Sequence, residues 1–130
     1  MSDRTFITEG PGLPKWSNPI SHAVIANGMC FISGQLSVDL DGRYVPGSIQ
    51  EEAERAFANV FAAAKAAGFD KDEIVYIDIA FADLSQLDTV NALYMSLFPE
   101  GRRPARTVSE AAALPFGGKI KIVATAVAKL

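Results

Sequence analysis

An alternating strand caught between two helices constrains this chain more than any other feature. Residues 74–81 read IVYIDIAF. The alternation predicts a strand that turns Val75, Ile77, Ile79 and Phe81 to one face and Tyr76, Asp78 and Ala80 to the other, with the first face meeting the helices. The helix before it is signalled by Ser48 and Glu51 at capping-box spacing, by Ile49, Ala53, Ala56, Val60, Ala64 and Ala67 at helical spacing, and by Gly68 as its stop. Its charged residues, Glu51, Glu52, Glu54, Arg55 and Lys65, read as a solvated face. The second helix is expected from about Leu84, capped by Asp83 or Ser85, with Leu87, Val90, Tyr94 and Leu97 as its buried stripe and its end before Pro99.

What flanks this core must then be sheet. Residues 23–26 and 29–32 are apolar runs on either side of Asn27-Gly28, a dipeptide that accepts positive φ at both centres of a type I′ turn, so they predict a β-hairpin. Residues 5–8 are compatible with a short first strand. Gly10, Pro11, Gly12, Pro14 and Pro19 then impose an irregular arm, on which Trp16 reads as the anchor to the body. Cys30, inside the hairpin, reads as a small core residue. His22 and Ser21 are neighbours on a strand and point to opposite faces, so they make no nucleophile–base pair, and His22 is expected to be partly exposed. Residues 39–46 form a polar turn region.

The C-terminal quarter, RRPARTVSEAAALPFGGKIKIVATAV, holds two further alternating strands separated by a turn at Pro115, Gly117 and Gly118. Arg106, Val108 and Glu110 share one face of the first strand, opposite Thr107, Ser109 and Ala111. On the last strand Ile120, Ile122, Ala124, Ala126 and Ala128 oppose Lys119, Lys121, Val123, Thr125 and Val127. Arg106 is therefore the best candidate for a functional charge; its bland alternative is a buried ion pair with Glu110 or Asp78 at a subunit interface. The sum is an α+β fold, one domain over residues 1–130, with a mixed sheet carrying both helices on one face. The other face leaves Tyr76, Val108, Val123 and Val127 to cover. An apolar fraction of 49% and a mean hydropathy of +0.17 are high for 130 residues, which points to sister subunits packed sheet against sheet.

Charge and rare residues narrow the function classes. A net charge of −3 and a pI near 5.1 supply no basic field for nucleic acid or an anionic membrane surface. One histidine and one cysteine make no ordinary transition-metal site within a subunit, so no metal is expected. The lone cysteine and the lack of an apolar N-terminal run or membrane span suit a cytoplasmic protein.

Several short motifs stand in order along the chain: Ser33-Gly34-Gln35 at the hairpin end, Asn91-Ala92-Leu93-Tyr94 on the second helix, Phe98-Pro99, Pro104-Ala105-Arg106 leading into a strand, and Leu114-Pro115 before the last strand. From residue 19 to residue 127 the chain resembles the Rid family, also called YjgF or L-PSP endoribonuclease-like. That resemblance implies a chorismate-mutase-like fold and a homotrimer whose sheets form a central barrel with ligand clefts between subunits. It implies hydrolysis of enamines and imines of the 2-aminoacrylate type to 2-keto acids and ammonia without a cofactor. Arg106 stands where the family holds a substrate carboxylate, a bidentate task that suits a guanidinium. Ser33 and Asn91 match other pocket positions. Three positions depart from the deaminating members: Ile20 replaces a tyrosine, Val108 replaces the cysteine of several, and Lys121 replaces a glutamate that positions or activates water. An ammonium has donors and no lone pair, so Lys121 does not replace that acid.

Two readings stay open at this stage. In the first, Arg106 binds the carboxylate of a small enamine or imine, main-chain groups near Thr107 and Val108 orient water, and Asn91 or Ser33 steadies the amino group. In the second, a non-deaminating trimer binds or acts differently on an anionic small molecule, a carboxylate or dicarboxylate, between Arg106 and Lys121, with Ile20 as an apolar wall. A plain strand lysine, solvated or paired with an acid, is the alternative for Lys121. Ribonuclease action, the source of the older family label, finds no support in an acidic chain without interleaved basic and aromatic residues.

Overall fold

The computed structural model describes residues 3–129. Eight regular elements follow in order: β1 (Thr5–Ile7), β2 (Ala23–Ala26), β3 (Met29–Gln35), α1 (Ile49–Ala66), β4 (Ile74–Phe81), α2 (Leu87–Leu97), β5 (Ala105–Glu110) and β6 (Ile120–Val127). The strands make one six-stranded sheet in the order β1-β2-β3-β6-β4-β5, parallel only between β4 and β5. That single parallel pair follows from α2, the crossover that carries the chain between two strands running the same way. Both helices lie on one face.

Local chemistry accounts for the element ends. Asn27 and Gly28 take φ of 52° and 73°, as a type I′ turn between β2 and β3 requires. Ser48 Oγ accepts from the Glu51 amide at 3.1 Å while Glu51 Oε1 accepts from the Ser48 amide at 2.9 Å, closing the predicted capping box. Leu84–Gln86 is a 3₁₀ turn with Asp83 Oδ1 accepting from the Ser85 amide, so regular α-helix begins at Leu87, three residues later than the spacing suggests. No helix among the described residues is long and apolar enough to cross a membrane.

The core lies between the helices and one sheet face. Ile32, Ile77, Ile79, Phe81, Ile120, Ile122 and Ala124 of the sheet meet Ala53, Ala56, Phe57, Val60, Val90 and Tyr94 of the helices. Small alanines on α1 let its backbone approach the strands closely, and Cys30 is fully buried among them, its thiol pushed up to about 11 by that burial. Trp16 anchors the irregular arm as expected, stacking on His22 with ring centres 4.0 Å apart, and Leu13, not singled out from the sequence, joins the core.

Four expectations are corrected. Val75 is exposed, because the β4–β6 register shifts between Ile74 and Tyr76, and this bulge turns Ile74 inward in its place. Val108 packs against the core on the helix side, as its alternation with Arg106 demands, and is not on the open face. His22 is buried, its Nε2 2.8 Å from the Pro14 carbonyl oxygen under the Trp16 ring. Glu52 is also buried, and the solvated face of α1 is narrower by that residue.

Candidate functional site

Two hollows carry the residues singled out above, and they lie in different parts of the chain. The first is built where α2 meets the edge strand β5. Arg106 is exposed on β5, its Nη1 donates to Asn91 Oδ1 of α2 at 2.8 Å, and its guanidinium carbon lies 4.8 Å from the centre of the Tyr94 ring. Arg103, Pro104 and Met95 complete a hollow of about 420 Å³. The asparagine sets one edge of the guanidinium and the aromatic face sets its plane, leaving the remaining donors open. Among the described residues no carboxylate pairs with Arg106. Within the chain Glu110 instead accepts from the Leu84 amide at 2.9 Å.

Tyr94, read from the sequence as part of a buried stripe and of the Asn91-Ala92-Leu93-Tyr94 motif but not as a site residue, is the platform under Arg106. Its spacing three residues after Asn91 on a helix was the available signal. Burial raises the Tyr94 phenol, against the pull of the nearby Arg106 and Arg103 charges, so it stays protonated and its hydroxyl is buried without a partner.

The second hollow, about 240 Å³, lies beside β6 and β3. It is lined by Ile20, Leu36, Val38, Val123, Trp16 and Phe116, with Lys121 as its only ionisable side chain among the described residues. Trp16 and Phe116 were not anticipated as walls. Phe116 holds a φ of 65° in the 3₁₀ turn Pro115–Gly117, a left-handed conformation unusual for a bulky residue, and it stays half out in solvent while stacking on Tyr44 at 6.2 Å between ring centres. Tyr44 in turn donates to Glu52 Oε2 at 2.6 Å. Glu52 also accepts from the Gly47 amide, the Lys119 amide and Lys119 Nζ. Burial pushes the Glu52 carboxyl up, but these hydrogen bonds outweigh it and hold the group below its ordinary value. Its own burial, and then the hydrogen bond to Glu52 and the negative charge there, push Tyr44 up to about 12.

The remaining candidates fall outside both hollows. Ser33 Oγ donates to the Ser21 carbonyl at 2.6 Å, which ties β3 to the end of the arm next to Ile20. Thr107 faces the opposite side of the sheet, where its hydroxyl meets that of Tyr76. The structure thus brings Arg106 to Asn91 and Lys121 to Ile20, but does not bring Arg106 to Lys121 within one chain. A cluster of Asp70, Asp72 and Glu73 lies away from both hollows; Lys129 Nζ donates to Asp72, and the Asp70 and Lys129 amides donate to Glu73.

Comparison with known proteins adds to this geometry. The family model described as Endoribonuclease L-PSP matches residues 13–128. A 2-iminobutanoate/2-iminopropanoate deaminase of Bos taurus is 40% identical over 115 residues, covering 88% of this chain and 83% of its own. Among solved structures, a putative endoribonuclease of Thermotoga maritima superposes with a TM-score of 0.89 at 33% identity over 97% of this chain and 99% of its own. A protein of unknown function of the conserved Rid family from Yersinia pestis gives a TM-score of 0.90 at 29% identity, with 96% and 99% covered.

Proposed function

The chain belongs to the Endoribonuclease L-PSP, or Rid, family, and from that membership we propose that it hydrolyses small carboxylate-bearing enamines and imines to 2-keto acids and ammonia. The observation that carries this reading is the unpaired guanidinium of Arg106, held in one orientation by Asn91 and Tyr94. A planar cation with free donors on one edge is suited to gripping a carboxylate bidentately.

The two half-sites become one cleft if the protein is a homotrimer. The sheet face away from the helices exposes Phe31, Tyr76 and Val127 around Val123 and Thr125, an apolar surface of the kind that sister subunits cover. Packing those faces would place the Arg106 half of one subunit beside the Lys121 half of the next.

Within such a cleft the chemistry is simple. An enamine takes a proton at its β-carbon to become the imine. Water oxygen then adds to the imine carbon while a proton passes to nitrogen, and the carbinolamine expels ammonia as the C=O bond forms. Because β5 is an edge strand, main-chain groups near Thr107 and Val108 on its open side are available to orient that water. Among the described residues neither hollow is lined by a carboxylate. The rate enhancement then rests on positioning and on the carboxylate grip, without the factor of about 10²–10⁴ that a placed acid or base supplies.

The same absence favours a second reading, a trimer that binds a carboxylate ligand without turning it over. Release of 2-keto acid from enzymatically generated 2-aminoacrylate separates the two. Hydrolysis above buffer in wild type, lost in Arg106→Ala and raised in Lys121→Glu, supports the deaminase. A wild-type rate equal to buffer overturns it. With a net charge of −3, the ligand we assign is a small molecule and not RNA.

A further inference from the structure

Lys121 is a cation without a counter-charge. Its neighbours along the chain are neutralised: Lys119 reaches Glu52 Oε2 at 3.3 Å and Lys129 reaches Asp72 Oδ2 at 2.7 Å. Among the described residues the Lys121 side chain has no ion pair and no hydrogen bond, and no acidic residue lines its hollow. Its stem lies across β3 where that strand has no side chain. A Cβ built on Gly34 would stand 2.9 Å from Lys121 Cδ and 3.1 Å from Cγ, so a larger residue there would make the lysine stem shift. The half-buried ammonium therefore ends in a hollow walled by Ile20, Val123, Leu36 and Trp16. Partial enclosure by apolar side chains lowers the local dielectric and strengthens attraction for an anion.

We propose that this hollow receives a second carboxylate of the ligand, carried on a short aliphatic stem, so that the imino acids this protein handles are dicarboxylic. The apolar walls take the methylene groups and Lys121 takes the distal charge. At about 240 Å³ the space suits a short-chain acid, being smaller than the roughly 300–1,000 Å³ typical of drug-sized ligands. The joining of this charge to the one on Arg106 rests on the shared-cleft reading above; the Lys121 hollow itself does not. An ammonium is a point charge and also attracts phosphate, so the test includes that source.

Calorimetric titration of the intact protein with butyrate, succinate, glutarate and inorganic phosphate, in wild type, Lys121→Gln and Arg106→Ala, decides the matter. Expected is an advantage of about tenfold or more for a dicarboxylate over butyrate in wild type, the size of one charge-assisted hydrogen bond, falling to about threefold or less in Lys121→Gln. A Lys121→Gln protein with wild-type melting temperature shows that the loss is not unfolding. Equal binding of mono- and dicarboxylates, an advantage that survives Lys121→Gln, or phosphate binding as tight as succinate each overturns the assignment. A second arm compares hydrolysis of imines generated by oxidases from amino acids with neutral and with acidic side chains. Preference for the acidic imine, lost in Lys121→Gln, supports the proposal, and preference for the neutral one in wild type overturns it. If no imine is hydrolysed but the dicarboxylate advantage depends on Lys121, the deaminase reading falls and the dicarboxylate site stands.

Discussion

Asn91 Oδ1 accepts a hydrogen bond from Arg106 Nη1 at 2.8 Å, and this one contact joins helix α2 to the edge strand β5 at the point where the guanidinium opens to solvent. Its role is orientation, since the charge belongs to Arg106 alone. Asn91→Ala is expected to weaken carboxylate binding modestly, by about three- to tenfold, because the stack on Tyr94 still defines the plane of the fork. Arg106→Lys keeps the charge but loses the paired donors and is expected to weaken binding by about 10- to 100-fold. Titration with a monocarboxylate checks both; a lysine variant as good as wild type would mean that Arg106 serves only as a point charge.

A buried acid supports the other half-site from behind. Glu52 accepts from Tyr44, Gly47 and Lys119, and Tyr44 stacks on Phe116, a wall of the Lys121 hollow. Glu52→Ala strands those donors and is expected to cost about 2 kcal/mol or more in chemical denaturation. Because its hydrogen bonds depress the folded-state value below that of an unfolded glutamate, the stability it contributes is present above roughly pH 4.3 and is lost as pH falls through the depressed folded value. Melting curves from pH 6 to pH 3 should therefore fall more steeply for wild type than for Glu52→Gln. Parallel curves would show that Glu52 is not what titrates.

The contrast between Glu51 and Glu52 shows what a sequence can carry. Glu51 was legible because its partner, Ser48, lies three residues away and the motif is complete in one helical turn. Glu52 depends on Tyr44 across a loop and on Lys119, 67 residues later, and nothing local distinguishes it from its solvated neighbours. Val75 failed for a related reason: alternation predicts faces only while the register runs unbroken, and the bulge between Ile74 and Tyr76 is set by pairing with β6. The Asn27-Gly28 turn, the alternation of β6 from Ile120 to Ala126 and the α1 stripe from Ile49 to Ala64 were readable, since each is a periodic or dipeptide signal, although Phe57 and Ala63, also buried on α1, were not picked out. Arg106 and Lys121 were each visible as candidates. That they occupy separate hollows depends on sheet order, with β6 inside the sheet and β5 at its edge, which no local pattern encodes.

His22 provides a second, separable pH response. Burial lowers its value, opposed by the hydrogen bond to the Pro14 carbonyl, so the ring is neutral in the fold, with Nε2 donating and Nδ1 unpartnered. The unfolded chain binds a proton near pH 6.5 that the folded chain refuses, so stability falls as pH drops below about 6.5 and levels off beneath the lowered folded value. The melting temperature should decline between pH 7 and pH 5 in wild type and stay flatter in His22→Gln, whose amide can still reach Pro14. A decline of equal slope in the variant would place the response elsewhere.

The open sheet face makes the last demand on the fold. Phe31 of β3 lies opposite Thr125 of β6, and Tyr76 of β4 lies opposite the same threonine, so one charge at Thr125 would stand at the centre of the apolar surface. Within a single chain Thr125 points away from the core, where Ala124 and Ala126 are buried, and Thr125→Arg is therefore expected to leave the monomer fold intact. In a sheet-against-sheet trimer the same arginine would be buried without a partner, which is strongly unfavourable. Analytical ultracentrifugation should find a trimer for wild type and a monomer with unchanged far-ultraviolet dichroism for the variant. Imine hydrolysis should fall with assembly by about 100-fold or more, because separating the Arg106 half from the Lys121 half misplaces the ligand by far more than the ångström that already costs about 10² in rate. A monomeric wild type, or a monomeric variant with full activity, would show that each chain carries a complete site and that the two hollows work apart.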